Sequence, residues 1–182
     1  MKLNIGSGVP ADQYLNRYNW TNIDISMVET PAMFFEMDVF HMPLTWVDRF
    51  TETRAIHVLE HVNRNKRQQF VDACFRVTAT GGICRIEVPN FPEIIWNLNK
   101  AIQDNDKEKE HIWTTSIYGK QRWPGDSHCW GYNVDTLGEL MQKAGFINVV
   151  AWTSGPAYTI GLDKMVSGHY KSEPVLLMEG WK

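Results

Sequence analysis

Lys2-Leu3-Asn4-Ile5-Gly6-Ser7-Gly8 is a short strand-like run that breaks into two glycines one residue apart. A glycine after a strand lets the chain turn sharply and brings backbone within reach of a ligand, because no side chain stands in the way. If a helix and a second strand follow, such a turn opens an alternating α/β fold. Pro10 to Tyr18 reads as a short helix with proline near its first turn, and Asn22 to Ile25 reads as the second strand.

The alternation continues outward from there. Phe34 to Val39 is a third strand and Thr53 to Val58 a fourth. Asn65 to Thr78 is the clearest helix, with Phe70, Cys74 and Val77 at helical spacing and Lys66, Arg67 and Gln68 exposed. Gly81-Gly82 is expected to stop it. Ile83 to Val88 is a fifth strand, closed by Pro89. Pro92 to about Asn105 is a helix running out into the charged stretch Asp104 to Glu110, read as a solvated helix end. Asn133 caps a helix through Ala144, with Gly145 at its stop. Ile147 to Trp152 and Pro174 to Trp181 are the sixth and seventh strands. This pattern predicts a mostly parallel sheet with helices on both faces, and ligands then bind at the carboxyl ends of the strands.

The bulk properties narrow the class. The 182 residues suit a single domain spanning 1–182. Hydrophobic residues at 43% and charged residues at 21% describe an ordinary globular chain. The net charge of −3 argues against a nucleic-acid backbone as the main partner. Cys74, Cys84 and Cys129 have neither metal nor redox spacing and read as free thiols in a reducing compartment. No stretch approaches the roughly 20 apolar residues of a membrane span, and no signal peptide is expected at Met1. A cytoplasmic protein with no membrane contact is therefore expected.

The loops after the strands carry the chemistry. Asp24, at the end of the second strand, can accept hydrogen bonds from both hydroxyls of a ribose. Asp38, one strand further on, can accept from an exocyclic adenine amine while apolar neighbours cover the ring. Ala55-Ile56-His57-Val58-Leu59-Glu60-His61-Val62 is the most distinctive string of the chain.

Read together, these segments resemble the small class I S-adenosylmethionine-dependent methyltransferases often called type 11. Leu3 to Gly8 resembles their first motif, Asn22 to Ile25 the ribose-binding strand end, and Asp38 with Pro43 the adenine-binding segment. His57 to Val62 resembles the family's "HVLEHV" string. Arg76-Val77, Gly81-Gly82 and Val88-Pro89-Asn90 resemble the stretch around "RVLKPGG", and Ala144-Gly145-Phe146 the late "AGF" element. Thr78-Ala79-Thr80 stands where the family usually has Leu-Lys-Pro, and the first motif has no third glycine. The resemblance covers Leu3 to about Trp152. It implies a three-layer α/β/α Rossmann-like sandwich whose seven-stranded sheet has its last strand antiparallel. It also implies S-adenosylmethionine as cofactor, with S-adenosylhomocysteine as product. Gly6, Ser7, Gly8, Asp24, Ile25, Asp38, Val39 and His57 are the expected cofactor residues, so that 1–90 is mainly the cofactor half and 91–182 the acceptor half. A side chain at Gly6 or Gly8 is expected to block the cofactor while leaving the fold nearly intact.

Four rival readings stand beside this one. His57-Val58-Leu59-Glu60-His61 matches the H-x-x-E-H string of zinc peptidases. That chemistry needs both imidazoles on one helical face and a third ligand. Here His57 ends a strand and the helix starts near Asn65, so no metal is expected. Gly6, Gly8 and Ala11 fit the G-x-G-x-x-A of nicotinamide dehydrogenases, but no segment supplies a hydride-transfer site. A nucleic-acid amino-methyltransferase would carry Asn/Asp-Pro-Pro-aromatic after strand four, where His57-Val58-Leu59-Glu60 stands. A non-catalytic S-adenosylmethionine-binding protein stays open.

Methyl transfer is an in-line displacement with the acceptor atom about 3 Å from the methyl carbon. His57 and His128 are the expected catalytic pair. His57, with an ordinary pKa of about 6.5, is the first choice for a base or an acceptor-orienting group; the alternative is a histidine packed against the cofactor for shape. Glu60 and His61 are expected to fix the loop by hydrogen bonds. Ile117 to Tyr132 is an aromatic loop in which Tyr118, Trp123, His128 and Trp130 are the expected wall around a small-molecule acceptor. A packed loop at the core edge is the plainer alternative. Thr153 to Ser172 is either a second wall or a connection.

Overall fold

Alternating apolar positions are buried on one sheet face, as the period of a strand requires. The computed structural model of the chain describes residues 1–7, 19–26, 33–154 and 173–182. Among these, seven strands form one sheet: β1 (Lys2–Ile5), β2 (Trp20–Asp24), β3 (Phe34–Glu36), β4 (Phe50–Ile56), β5 (Thr78–Pro89), β6 (Ile147–Ser154) and β7 (Val175–Trp181). Their order is β3-β2-β1-β4-β5-β7-β6. β7 runs antiparallel to both β5 and β6, while β1 to β5 pair in parallel. The expected Rossmann-like sheet with an antiparallel last strand is the sheet the chain forms.

Leu3 and Ile5 of β1, Ile23 of β2, Ala55 of β4, Ile86 of β5 and Met178 of β7 share one buried face. Onto it pack two helices, α1 (Arg67–Val77) and α4 (Val134–Ala144), through Phe70, Cys74, Leu137 and Met141, all wholly buried. The opposite face carries a buried polar row beside the apolar Trp20, Val175 and Leu177. Asn4 lies in register with Asn22 and Arg54. Its amide donates to Asn22 Oδ1 at 3.1 Å and accepts from Arg54 Nε at 3.0 Å. Beside them Arg85 is held by Glu179 at 2.6 Å and by Glu52. Buried guanidinium groups persist only where their charge and donors are met.

Several boundaries differ from those expected. Gly81-Gly82 does not stop α1. The helix ends at Val77, and Thr78 leads directly into β5 while its hydroxyl donates back to Cys74 O at 2.8 Å. The two glycines sit inside β5, where the pairing jumps from Phe50↔Thr78 to Glu52↔Ile83. The extra residues bulge outward, and Gly81 at φ +78° supplies the left-handed backbone this needs. The charged stretch is not a solvated helix end either. One helix, α2 (Phe91–Gln103), stops there and another, α3 (Lys107–Tyr118), begins. Asn105 turns at φ +53°, and the Asp106 carboxylate accepts from Lys109 N at 3.0 Å, capping α3. β3 ends early because Asp38 caps a 3-10 turn over Val39–His41, accepting from Phe40 N at 3.0 Å. The helix expected over Pro10 to Tyr18, Gly8, and residues 155–172 of the expected second wall lie outside the described residues. Among the described residues, no helix is long and apolar enough to cross a membrane.

Candidate functional site

The chain progresses outward in opposite directions from β1 and β4, which lie side by side. That places a topological switch point at their carboxyl ends, where open α/β sheets bind ligands. Gly6-Ser7 leaves β1 there, Asp24 ends β2, Asp38 follows β3 and His57 follows β4. The loops are tied together by backbone bonds: Ser7 N donates to Ile23 O at 3.0 Å, and Met37 N to Asp24 O at 2.7 Å. Gly6 turns at φ +65°, and a Cβ on it would stand 2.3 Å from Val58 Cγ2. A side chain at Gly6 therefore strains the fold itself, which corrects the expectation that Gly6 variants keep it intact.

This edge carries a buried hydroxyl and a half-buried carboxylate. Ser7 is wholly buried, and its Oγ has no hydrogen-bond partner among the described residues. Asp24 is half-buried at the strand end, with Oδ1 accepting from Ser26 N at 3.0 Å. Ile25 is 69% exposed beside it, while Val39 is buried in the core. Gly6, Ser7, Asp24, Ile25 and Asp38 thus reach one edge, whereas Val39 has only its backbone to offer.

His57 is set differently from expectation. It turns the chain at φ +52°, a region costly for a residue with a side chain, and its N–H donates to Glu87 O at 2.9 Å. The buried imidazole has Nδ1 at 3.1 Å from Glu60 Oε1 and Nε2 at 3.5 Å from Glu87 Oε1. Burial works against its charge, but the hydrogen bonds and charges of Glu60 and Glu87 outweigh it and hold the pKa well above the ordinary value. Glu60 is correspondingly held low, burial opposing and the His57 contact prevailing. The ordinary imidazole expected at His57 is therefore corrected: its contacts with Glu60 and Glu87 favour the protonated ring.

On the far side of His57 lies a cavity of about 280 Å³. Four of the chain's six histidines line it, His57, His61, His111 and His128. Residues 119–132 fold back to close it: Cys129 N donates to Glu60 O at 2.7 Å, and His128 N to Tyr118 O at 3.0 Å. Gly119, at φ +76°, allows the reversal, since a Cβ there would stand 2.3 Å from Asp126 O. His61 Nδ1 donates to Ser127 O at 3.1 Å and His128 Nδ1 to Ser116 O at 2.9 Å. The two rings meet edge to face at 4.9 Å. Burial lowers the pKa of His128, so this ring is neutral at pH 7.

Of the expected acceptor wall, the fold brings His128 to this cavity. Tyr118 and Trp123 are exposed, and the Trp130 ring lies under the guanidinium groups of Arg64 and Arg67, at 4.8 and 4.5 Å. None of these three aromatics lines it. Glu60 and His61 do fix the loop, and both also face the cavity. Sequence reasoning missed Glu87, His111, Asp126 and Glu173. An acid inside an otherwise apolar strand gave Glu87 no distinguishing signal, and His111 stands just past the charged stretch, in the helix α3 that the sequence reading did not separate.

No protein-family model matches the chain, and no characterised protein matches it in sequence. Solved structures do match it in fold. A SAM-dependent methyltransferase from Archaeoglobus fulgidus is 15% identical, with a TM-score of 0.66 over 100% of this chain and 85% of that one. The 1,6-didemethyltoxoflavin-N1-methyltransferase of Burkholderia thailandensis, solved with its substrate and S-adenosylhomocysteine, is 13% identical, with a TM-score of 0.59 over 100% and 70%. The 16S rRNA (adenine(1408)-N(1))-methyltransferase of Catenulisporales acidiphilia is 12% identical, with a TM-score of 0.54 over 99% and 86%. The chain shares the class I methyltransferase fold, and that fold serves both small-molecule and RNA acceptors.

Proposed function

We propose that the chain is a cytoplasmic, type 11-like enzyme that transfers a methyl group from S-adenosylmethionine to a small-molecule acceptor by in-line displacement. The observation that carries this reading is the polar edge at the switch point, where Gly6-Ser7, Asp24 and Asp38 line up along the ends of β1, β2 and β3. Gly6, Ser7 and Gly8 would cradle the amino-acid tail, with the buried Ser7 Oγ as one of its partners. Asp24 would accept from the ribose hydroxyls. Ile25, Asp38 and the Val39 backbone would hold the adenine. The cofactor supplies a methyl carbon activated by a positive sulfur. His57, at the junction, carries a proton and positions the groups on either side of it. His128 presents a neutral imidazole to the acceptor cavity. Residues 1–90 of the single domain 1–182 would then hold cofactor, and 91–182 most of the acceptor. The three free thiols Cys74, Cys84 and Cys129 suit a reducing compartment.

Two rivals fit less well. A dinucleotide-binding dehydrogenase sheet is parallel with order 3-2-1-4-5-6, whereas here an antiparallel β7 lies between β5 and β6. A chain with net charge −3 lacks the basic balance of a nucleic-acid binder. The test is calorimetry with S-adenosylhomocysteine. Wild type should bind, and Asp24→Ala should lose about 2 kcal/mol or more, the worth of a charged hydrogen-bond acceptor. Unchanged affinity in the variant would remove Asp24 from the ribose position, and no binding to wild type would end the reading.

A further inference from the structure

We propose that Glu60, His61 and His128 form a binding site for a divalent transition metal of the zinc class, open to the acceptor cavity. One donor atom from each residue lies within 4.8 Å of the others. A tetrahedral ion with bonds of about 2.1 Å keeps its donors roughly 3.4 Å apart, so binding draws the three together by about an ångström. Two imidazoles and one carboxylate are the donor set of many zinc enzymes.

Three further observations point the same way. First, Glu60 is 1% exposed and its Oε2 has no hydrogen-bond partner among the described residues. A buried carboxylate oxygen left without a donor is costly, and a cation satisfies it. Second, both histidines commit Nδ1–H to a backbone carbonyl, Ser127 O and Ser116 O. In a neutral ring this fixes Nε2 as the lone-pair nitrogen. It is also the outer contact that orients metal-binding histidines. Third, the other oxygen of Glu60, Oε1, is held by His57 Nδ1 at 3.1 Å, so the carboxylate is already aimed.

This is not the peptidase site that H-x-x-E-H suggests. His57 is engaged with Glu60 and Glu87, and its place as a ligand is taken by His128, brought in by the loop after α3. Three protein donors leave the fourth position open, and expansion to five-coordinate adds another, as in catalytic rather than structural zinc sites. The acceptor class follows only on the methyltransferase reading. The open positions would hold an acceptor carrying two adjacent oxygen atoms, one of them the atom methylated.

The experiment uses the full chain without cofactor. It is titrated with Co²⁺, whose visible absorption reports low-coordinate sites, and then with Zn²⁺. Wild type should bind one Co²⁺ per chain with visible bands that one equivalent of Zn²⁺ abolishes. His61→Gln and His128→Gln should each bind at least about 100-fold more weakly, since even outer-contact changes cost 10–100-fold. Trp123→Ala, exposed and outside the cluster, should titrate as wild type. Absence of the bands in wild type overturns the site, and so does wild-type binding in both histidine variants. Acetohydroxamate, with two adjacent oxygens, should shift the bands; if it does not, the acceptor class falls and the metal site stands. S-adenosylhomocysteine calorimetry on the same preparation separates the two proposals: cofactor bound without Co²⁺ sinks the metal, and Co²⁺ bound without cofactor sinks the methyltransferase.

Discussion

At Gly6 the demands of chain geometry and of ligand approach fall on one atom. Its φ of +65° and the 2.3 Å gap to Val58 Cγ2 mean that a methyl group there meets strain and a clash together. Gly6→Ala should therefore destabilise the protein by about 1–3 kcal/mol. Val58→Ala in the same chain should recover the steric part, leaving the backbone part. Urea unfolding of the wild type, both single variants and the double variant reads the coupling directly. Strict additivity would mean that the loops after β1 and β4 do not press on each other. His57 is legible at this scale only by half. The sequence marks a histidine at a strand end, and its ordinary pKa suggests a base. Glu87, which reverses that conclusion, lies on another strand in register with Ile56, and nothing local announces it.

Among the elements, α4 is the one most completely written in its own residues. Asn133 accepts from Thr136 N at 2.8 Å, and Thr136 Oγ1 accepts from Asn133 N at 3.1 Å, a reciprocal cap. Gly145 closes the helix at φ +109°. Asn133→Ala should cost about 1 kcal/mol in thermal or urea unfolding; a loss within error would show that packing of Leu137 and Met141 alone holds the first turn. α3 carries comparable signals, Asp106 at its cap with Glu108 and Glu110 in the first turn, yet reads as the tail of α2 because charge dominates the stretch. β5 misleads for another reason. Gly81-Gly82 is ordinary punctuation after a helix, and only the pairing with β4 makes it a bulge inside a strand. Capping is local chemistry and legible. Strand register depends on the neighbouring strand and is not.

Across the whole molecule the same division separates the two halves of the site. The shared placement of Gly6, Asp24, Asp38 and His57 could be read in advance because each follows or closes a strand, and strand order in such sheets puts those ends side by side. The cavity could not, since His61 reaches a carbonyl 66 positions away and only the folded loop reveals it. This separation in space predicts a separation in function. Trp123, exposed beside Arg122, should be replaceable by alanine with stability and S-adenosylhomocysteine affinity both within about 0.5 kcal/mol of wild type. Trp130→Ala removes the ring under Arg64 and Arg67 and should lower stability while leaving cofactor affinity within about 1 kcal/mol. His128→Ala should also keep cofactor affinity within about 1 kcal/mol, yet lose most turnover once an acceptor is in hand. Asp24→Ala should do the reverse, losing cofactor while its unfolding midpoint moves little. Calorimetry and urea unfolding on these four variants decide the matter without an acceptor. If His128→Ala or Trp123→Ala loses cofactor as severely as Asp24→Ala, the loop belongs to the cofactor pocket, and the cavity beside His57 is not a separate acceptor site.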